Sequence, residues 1–376
     1  MLILGIETSC DETAVAVVEN GRRVLSNVIF SQIPLHQKTG GVVPEVAARE
    51  HTSSIIPVIK RALTEAGVAP KELSAIAATA GPGLIGCLLT GLTTAKTLAL
   101  IWRKPFIPVD HIKGHLMSPW LLNPSGTSEK FASMTPRFPI VSLTASGGHN
   151  ELVLLRAPRR RNGMPRLTIL GQTLDDAAGE AYDKAARIMG LGYPGGPAIS
   201  QAAVGGNPHR YPLPRAWLEK GKNPRKWQNF SFSFSGLKSA LLRLVESLPR
   251  NRPSSDVDGV RLQADLAASF QEAVNDVLAT KLLLAAERYS AREIHLAGGV
   301  SANTDLREKI RRAVETRQHP LFGRLTFHKN ITFRTPQTLS FCTDNAAMIA
   351  SAGYFRYQQN PRRYSRWRNF EAYSDR

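Results

Sequence analysis

Short buried-strand patterns that end in glycine-rich turns recur along the chain, and helical patterns alternate with them. The first segment, LILGIETSCDETAVAVVENGRRVLSNVIFSQ, predicts three strands, and its Asn-Gly pair is a strong hairpin signal. A helical pattern over residues 44–66 follows, then the buried strand LSAIAATAG, the turn GPG and the helix LTTAKTLALIW. The strand PFIPVD comes next. Alternating strands and helices predict an α/β sheet protein.

A second series with a similar plan begins at FPIVSLTASGGHNELVLLRAP, which predicts a strand, a glycine turn and a second strand. RRRNGMPR predicts a basic hairpin tip, and LDDAAGEAYDKAARIMG a helix with Asp175 and Asp176 near its positive N-terminal end. DLAASFQEAVNDVLATKLLLAAERY has the apolar spacing of a long helix, and EIHLAGGVSANTDLREKIRRAV predicts a strand, a glycine turn and a helix. The repeated plan favours two related lobes around a cleft.

Length and composition favour a folded protein of the cytoplasm. A chain of 376 residues with 43% hydrophobic and 21% charged residues can bury a sizeable core and hold two domains or lobes. No apolar run reaches membrane-spanning length, and Met1 leads directly into a strand pattern without a secretory signal. Cys10, Cys87 and Cys342 are far apart, which disfavours a disulfide framework or a zinc ribbon.

The chain is strongly basic, with a formal net charge of +18 and a pI of about 10.2. Such a balance favours a polyanionic partner, nucleic acid above all, because Lys and Arg neutralise phosphates. A generally basic proteome or association with the ribosome is the alternative. The tail 358–376 mixes Arg with aromatic residues, so it fits either nucleic-acid stacking or a loosely ordered terminus.

His111 and His115 stand four residues apart in HIKGH. Two imidazoles at that spacing share one face of a helical turn and could hold a metal with a third ligand from elsewhere in the chain. From spacing alone, two unrelated histidines are the stronger interpretation. The glutamate that follows the first histidine in H-E-x-x-H metalloproteases is absent, which disfavours that chemistry.

Four glycine-rich turns follow predicted strands: GPG, SGGH, YPGG and GGVSAN. Together they favour a nucleotide cleft, because glycine lets backbone N–H groups approach phosphate oxygens, although none matches the Walker or Rossmann pattern. Acidic residues beside these turns could bind ribose hydroxyls, bind a metal or act as a base. They are Glu7, Asp11, Glu12, Asp175, Asp176, Glu180 and Asp183. A solvated helix face is the alternative for Glu180 and Asp183.

Ten motifs occur in the order found in one protein family. They are GIETSCDETAVAVV, GGVVPEVAAREH, GPGLIGCLLTGLTTAK, HIKGH, SGGH, LDDAAGEAYDK, YPGG, FSFSGLKSA, GGVSAN and FCTDNAAMIA. Between residues 3 and 353 the chain thereby resembles the tRNA threonylcarbamoyladenosine transferases of the bacterial cytoplasmic type, once called O-sialoglycoprotein endopeptidases.

The resemblance implies the α/β fold of actin-like ATPases, shared with sugar kinases and Hsp70, with two mixed-sheet lobes around a nucleotide cleft. We expect an N-terminal lobe over residues 1–110, completed by a helix near 343–357, a C-terminal lobe over 111–342 and a basic aromatic tail over 358–376. The family's metal ligands match His111, His115 and Asp344. Its nucleotide-binding residues match Thr144, Ala145, Ser146, Gly147, Gly148, Asp183, Gly196 and Asn303.

The implied reaction moves threonylcarbamoyl from threonylcarbamoyl-AMP to N6 of adenosine 37 in tRNAs that read codons beginning with A. The implied metal is divalent, with iron (Fe²⁺) expected and zinc as the alternative. The implied partners are tRNA, a smaller TsaB-like paralogue and a small TsaE-like ATPase, with no membrane. Asp11 and Glu12 are our candidates for a general base. Lys113 departs from the family, which usually has Glu there.

Two other functions fit part of the pattern. A sugar or acetate kinase of the same fold would account for the glycine turns, but not for the histidines or the charge. A nucleotide-switched RNA-binding protein would bind ATP and tRNA without making a modified base. An assay for the modified nucleoside separates all three.

Overall fold

A computed structural model describes residues 1–123, 135–160, 162–219, 222–248, 257–365 and 371–374. Internal contacts divide the chain into two compact units. The first consists of Met1–Pro136, Ala157–Arg166 and Thr335–Arg376, and the second of Arg137–Arg156 and Leu167–Arg334. This division differs from the predicted boundary at residue 110, because residues 111–136 group with the first unit. Most of the predicted polar loop 123–134, Arg161 of the basic tip and part of the tail lie outside the described residues.

The helices and strands are numbered here in chain order. The strands are β1 Leu2–Glu7, β2 Glu12–Glu19, β3 Arg23–Ser31, β4 Ala75–Gly81, β5 Phe106–Asp110, β6 Ile140–Ala145, β7 Asn150–Arg156, β8 Arg166–Gln172, β9 Glu293–Ala297, β10 Gln318–His319, β11 Gly323–Arg324 and β12 Thr332–Arg334. The helices are α1 Ile33–His36, α2 Pro44–Ala66, α3 Ile85–Ile101, α4 His111–His115, α5 Ala178–Ile188, α6 Gly195–Ala202, α7 Ser235–Ser247, α8 Val257–Arg288, α9 Thr304–Thr316 and α10 Ala346–Gln359.

The sheet of the first unit has the order β3-β2-β1-β4-β5. β1 pairs antiparallel with β2, and β2 with β3, whereas β1, β4 and β5 are parallel. The predicted hairpin is confirmed: Asn20 and Gly21 both have positive φ angles, 50° and 71°, as a type I′ turn requires. The helix predicted over residues 44–66 is also confirmed, with Pro44 in its first turn and a left-handed Gly67 at its end.

Helices cover this sheet. α2 and α3 pack on β2, β3 and β4, and a hydrophobic cluster fills the space between them. Its members include Leu4, Ile6, Val15, Val17, Ile55, Ile59, Ile76 and Leu92. α10 contacts β1, β2, β4 and β5, and its residues from Ala346 to Phe355 are all buried. The small side chains of AAMIASAG allow a helix to lie close against a strand surface. Because α10 packs closely against the sheet, the position of the residues just before α10 is fixed as well.

The second unit repeats this plan. Its sheet has the order β12-β9-β6-β7-β8, with β6 and β7 antiparallel and β6, β9 and β12 parallel. The order matches that of the first sheet strand for strand, since β6, β7, β8, β9 and β12 correspond to β1 to β5. The long helix α8 packs on β6 and β9. The predicted α/β class with two related mixed sheets is therefore confirmed. None of the helices in the described part of the chain combines the length and apolar character needed to cross a membrane.

Asp175 and Asp176 lie just before their own helix, as predicted, since α5 begins at Ala178. The N-cap residue of that helix forms no side-chain capping bond. Asp175 instead accepts hydrogen bonds from the backbone N–H groups of Phe234 and Ser235 at the start of α7, at 2.8 and 3.4 Å. The hydroxyls of Ser233 and Ser235 also donate to it. A helix N-terminus elsewhere in the chain is thus the one that this carboxylate caps.

Candidate metal and nucleotide sites

Three side chains of the first unit meet as a metal site requires. His111 Nε2 lies 3.4 Å and His115 Nε2 3.1 Å from Asp344 Oδ1. The candidate ligand atoms all lie within 4.8 Å of one another. Both imidazoles are buried, and the Asp344 side chain is 22% exposed. The structure therefore brings together the three predicted ligands, although 229 residues separate His115 from Asp344.

Local sequence explains this convergence. β5 ends at Asp110, whose carboxylate caps α4 by accepting from Lys113 N at 3.0 Å. α4 packs against α10 at Gly114, where a Cβ would lie 2.8 Å from Ile349 Cδ1. Asp344 stands just before α10, whose N-cap is Asn345. The glycine of HIKGH thus lets the two histidines approach the residue that precedes α10.

A buried glutamate orients His111 through its other nitrogen. Glu7 Oε2 lies 3.0 Å from His111 Nδ1, and the Thr79 hydroxyl donates to the same oxygen at 2.6 Å. Ser9 Oγ also lies 3.2 Å from His111 Nδ1, while Ser9 N donates to Glu7 Oε1 at 2.5 Å. A carboxylate at Nδ1 keeps the proton there and leaves the Nε2 lone pair for a metal. Sequence reasoning counted Glu7 among several acidic residues, but missed Ser9 and Thr79.

The charges of the cluster are matched. Burial lowers the pKa of the His111 imidazole, but the carboxylates of Asp344 and Glu7 outweigh burial and hold that pKa well above its usual value. Burial likewise raises the pKa of Asp344, but His111 and His115 outweigh it and hold it far below its usual range. His115 Nδ1 is buried with no hydrogen-bond partner among the described residues. Two imidazole nitrogens and a carboxylate oxygen form a donor set that suits iron or zinc. The residues therefore fit a divalent metal.

Lys113 does not pair with the ligand carboxylate. Its ammonium group lies 3.8 Å from Asp110 Oδ2, and 39% of the side chain is exposed. The cation that replaces the family's usual glutamate thus pairs with the carboxylate that caps α4 instead.

The two candidate bases lie in the turn after β1 and at the start of β2. Asp11 is buried, and its carbonyl accepts from Gln32 N at 3.0 Å. Burial, together with the charges of Asp11 and Asp344, raises the pKa of Glu12 well above its usual value. A carboxylate whose pKa is raised is a stronger base than an ordinary one. The structure thus brings Glu12 into the electrostatic range of Asp344, but the role of a base stays a prediction.

The predicted nucleotide residues gather in the second unit, at the carboxyl ends of two adjacent parallel strands. Thr144 and Ala145 end β6, and Thr144 is in register with Ala297 at the end of β9. In the turn that follows, Ser146 N donates to His149 O at 2.8 Å, and Glu180 N at the start of α5 donates to Gly147 O at 2.9 Å. This edge of a parallel sheet is where α/β proteins bind nucleotides.

Gly147, Gly148 and Gly196 face open space, since a Cβ on any of them would meet no atom within 4 Å. Such positions leave room for a ligand close to the backbone. Asp183 holds the start of α6 through a bond of 2.7 Å from Gly195 N to its Oδ1. The first backbone N–H groups of α5 and the N–H group of Gly195 are already bonded within the protein, so the open space beside the glycines is what favours a ligand here.

Asn303 is the most constrained member of the predicted set. Its Oδ1 accepts from Leu306 N at 2.9 Å and so caps α9. Its Nδ2 donates to Gln271 Oε1 at 2.7 Å and to Ser200 Oγ, in α6, at 3.2 Å. The amide is therefore committed within the protein, where it joins α6, α8 and α9. Sequence reasoning missed Gln271 and Ser200, because residues that only orient another side chain carry no motif of their own.

Comparison with known proteins identifies the family. The TsaD family model, described as tRNA N6-adenosine threonylcarbamoyltransferase, matches residues 23–351. A curated tRNA N6-adenosine threonylcarbamoyltransferase from Thermomicrobium roseum is 49% identical, over 96% of this chain and 93% of its own length. One of the same name from Symbiobacterium thermophilum is 48% identical over the same shares.

A solved structure supports the fold. The structure of HypF from T. kodakarensis resembles this chain with a TM-score of 0.56 at 14% identity, over 96% of this chain and 48% of that one. At that identity the likeness concerns the fold alone. The paired mixed sheets are those of the actin-like ATPase fold, as the resemblance implied. The family model and the curated relatives together place this chain in the tRNA N6-adenosine threonylcarbamoyltransferase family.

Proposed function

We propose that this protein transfers the threonylcarbamoyl group from threonylcarbamoyl-AMP to N6 of adenosine 37 in tRNAs that read codons beginning with A, releasing AMP. The observation that carries the proposal is the intact triad of His111, His115 and Asp344 in a member of this transferase family. A sugar or acetate kinase, or an RNA-binding protein without activity, is not favoured, because the curated relatives carry the transferase name over nearly the whole chain.

The first unit supplies the groups that act on the acyl donor. The donor is a mixed anhydride with AMP as a good leaving group, so the protein's task is to position it and to stabilise charge. A divalent metal, Fe²⁺ by preference or Zn²⁺, when bound by His111, His115 and Asp344, would polarise the donor carbonyl as a Lewis acid. Glu7 holds the His111 proton at Nδ1. Asp11 or Glu12 takes the proton from the adenine amine.

The second unit holds the nucleotide part of the donor. The residues proposed for this are Thr144, Ala145, Ser146, Gly147, Gly148, Asp183, Gly196 and Asn303. The open space at Gly147, Gly148 and Gly196 supports phosphate and ribose binding close to the backbone. Since the Asn303 amide is engaged within the protein, we propose that it contributes to nucleotide binding indirectly, by holding α6 and α9 in place.

We infer that the acceptor tRNA is bound through the basic surface, because the net charge of +18 suits a polyanion. A smaller TsaB-like paralogue and a TsaE-like ATPase are the proposed helper proteins, on the ground of family membership alone. The proposed location is the cytoplasm, where such a tRNA is found and where the free thiols of Cys10, Cys87 and Cys342 would stay reduced.

A direct assay tests the function. The purified protein, loaded anaerobically with Fe²⁺ or separately with Zn²⁺, is given synthetic threonylcarbamoyl-AMP and an unmodified tRNA transcript, with and without the two helper proteins. Digestion and mass spectrometry should then detect threonylcarbamoyladenosine and an equal amount of AMP. A transcript with guanosine at position 37 and a His111→Ala/His115→Ala variant should give none. Product from the double variant would exclude the metal role, and phosphorylation of a sugar without modified nucleoside would support a kinase.

A further inference from the structure

The last described residues of the chain lie across the turn that follows β4. Tyr373 N donates to Ala80 O at 2.8 Å, and Gly83 N donates to Ser374 O at 3.2 Å. The side chains of Ala372 and Tyr373 pack on the hydrophobic cluster of the first unit. We call residues 371–374 the terminal strap. Both its backbone and its side chains contact the first unit, so the strap is a packed part of the fold.

The turn is shaped to receive this strap. The pairing of β4 with β5 shifts register between Thr79 and Gly81, so Ala80 has no partner in β5 and its carbonyl is available to the strap. Gly81 has a φ of +147°, and a Cβ there would lie 2.1 Å from Tyr373 O and 2.7 Å from the Tyr373 ring. Glycine is therefore required at this position while the strap is docked.

The strap reaches the metal-binding helix through one carboxylate. The Tyr373 hydroxyl donates to Asp110 Oδ2 at 3.2 Å. The other oxygen, Oδ1, is the one that caps α4 by accepting from Lys113 N. Asp110 directly precedes His111, so the orientation of its carboxylate sets the first turn that presents His111. A second route runs through Ser9, whose carbonyl accepts from Leu84 N at 2.8 Å beside Gly83, and whose hydroxyl lies 3.2 Å from His111 Nδ1.

We propose that Tyr373 of the terminal strap is a positioning residue for the metal site, acting through the Asp110 carboxylate that caps α4. The contact that carries this role is the bond from its hydroxyl to Asp110 Oδ2. The inference rests on the metal site of the proposed function, but the strap itself is observed apart from any metal. The proposal predicts that the orientation of α4, and hence the affinity for a metal, depends on the Tyr373 hydroxyl.

Full-length Tyr373→Phe and Tyr373→Ala variants test this with Co²⁺ as the probe. Tyr373→Phe keeps the ring and removes the hydroxyl, so we expect Co²⁺ affinity to fall about threefold to tenfold, below the range typical of groups that bond a metal ligand directly. Tyr373→Ala should lower it further. Hydrogen exchange of the α4 amides, above all Lys113 N, should quicken about tenfold in both variants without any metal. Tyr364→Phe is the matched control, because its hydroxyl accepts from Arg356 Nε at 3.4 Å beyond the other end of α10.

Unchanged Co²⁺ affinity and unchanged α4 exchange in Tyr373→Phe would overturn the proposal. If Tyr373→Ala does not fold, the Co²⁺ affinity and the α4 exchange of Tyr373→Phe still test the proposal. A wild-type protein that fails to bind Co²⁺ would count against the metal site of the proposed function, and the exchange rates would then judge the strap alone. Equal losses in Tyr364→Phe and Tyr373→Phe would also overturn it, since they would show a general effect of the C-terminal region.

Discussion

His111 is held by a carboxylate at each ring nitrogen. Glu7 lies 3.0 Å from Nδ1, and Asp344 lies 3.4 Å from Nε2. Because Glu7 is wholly buried, it cannot move to solvent when its partner changes. Glu7→Gln keeps the shape but loses the charge that holds the proton on Nδ1. We expect metal affinity to fall about tenfold to a hundredfold.

Titration with Zn²⁺ against a chromophoric chelator measures that loss. Glu293→Gln is the matched control, since Glu293 is also buried and lies 2.9 Å from an imidazole, that of His295 in the second unit. Its metal affinity should equal that of the unchanged protein. The interpretation of Glu7 fails if the two variants bind Zn²⁺ equally well.

The metal ligands illustrate what sequence can show of single residues. Spacing alone favoured two unrelated histidines at 111 and 115, and only the family motifs connected them to Asp344. Glu7 was visible as one acidic residue among several. Nothing in the sequence pointed to Ser9 or Thr79, because a hydroxyl that bonds to a buried carboxylate is chosen by the fold and not by a local pattern.

At the scale of elements, the contact between α4 and α10 depends on a missing side chain. A Cβ on Gly114 would lie 2.8 Å from Ile349 Cδ1 and 3.2 Å from Met348 Cγ. The atom under 3.0 Å, Ile349 Cδ1, is the end of its side chain, and the Met348 side chain is flexible, so Gly114→Ala should be mild. The branched side chain of Gly114→Val would force the helices apart, and we expect a loss of about 1–3 kcal/mol in the free energy of unfolding and a more than tenfold loss of metal affinity.

Urea unfolding and Zn²⁺ titration check both effects. Gly236→Val is the control, because a Cβ on Gly236, in α7, would meet no atom within 4 Å. A Gly114→Val variant that binds Zn²⁺ as tightly as Gly236→Val would show that the helices do not need this close approach.

Elements with their own start and stop signals were predicted well. α2 has a proline in its first turn and a glycine after its last, and its predicted range is the observed one. α5 has no proline in its first turn, although the left-handed Gly190 lies just after its end. Asp175, which precedes α5, caps α7 instead, by accepting from Phe234 N, 59 residues away. Local rules identify that a carboxylate favours a helix N-terminus, but not which helix the fold brings to it.

At the scale of the whole molecule, the pH dependence of stability reflects a buried lysine in the core of the second unit. Lys281 is fully buried; its ammonium group donates to Ser231 O and lies 5.2 Å from the centroid of the Phe232 ring. Burial lowers its pKa to about 8. Below that pH the folded protein must hold a buried charge. Above it, the folded state has released a proton that the unfolded state keeps until about pH 10.4, so stability rises with pH over this window.

Lys281→Met removes this dependence. At pH 7 we expect the variant to be more stable by about 1–3 kcal/mol, since methionine fills similar space without a charge. The difference in the free energy of unfolding between the variant and the unchanged protein should narrow by about 2 kcal/mol between roughly pH 7 and pH 10. Urea unfolding across this range measures it, with Lys222→Met as the control at an exposed lysine. A stability difference between the two proteins that stays constant with pH would contradict a lowered pKa of Lys281.

The net charge of +18 belongs to the whole molecule, and it makes a prediction about tRNA. If three or more Lys or Arg side chains neutralise phosphates, affinity for tRNA should fall at least about thirtyfold between roughly 50 and 200 mM salt.

Arg159 and Arg160 on the basic tip are exposed, and Arg160 donates to the neutral carbonyl of Gln359. Reversing both to glutamate should weaken binding and reduce the slope of log affinity against log salt by about 1–2. The same reversal at Arg311 and Arg312, an exposed adjacent pair on α9, is the matched control in a filter-binding titration. Equal slopes for the two variants would remove the tip from the tRNA-binding surface, while a flat salt response of the unchanged protein would show that its charge serves another partner.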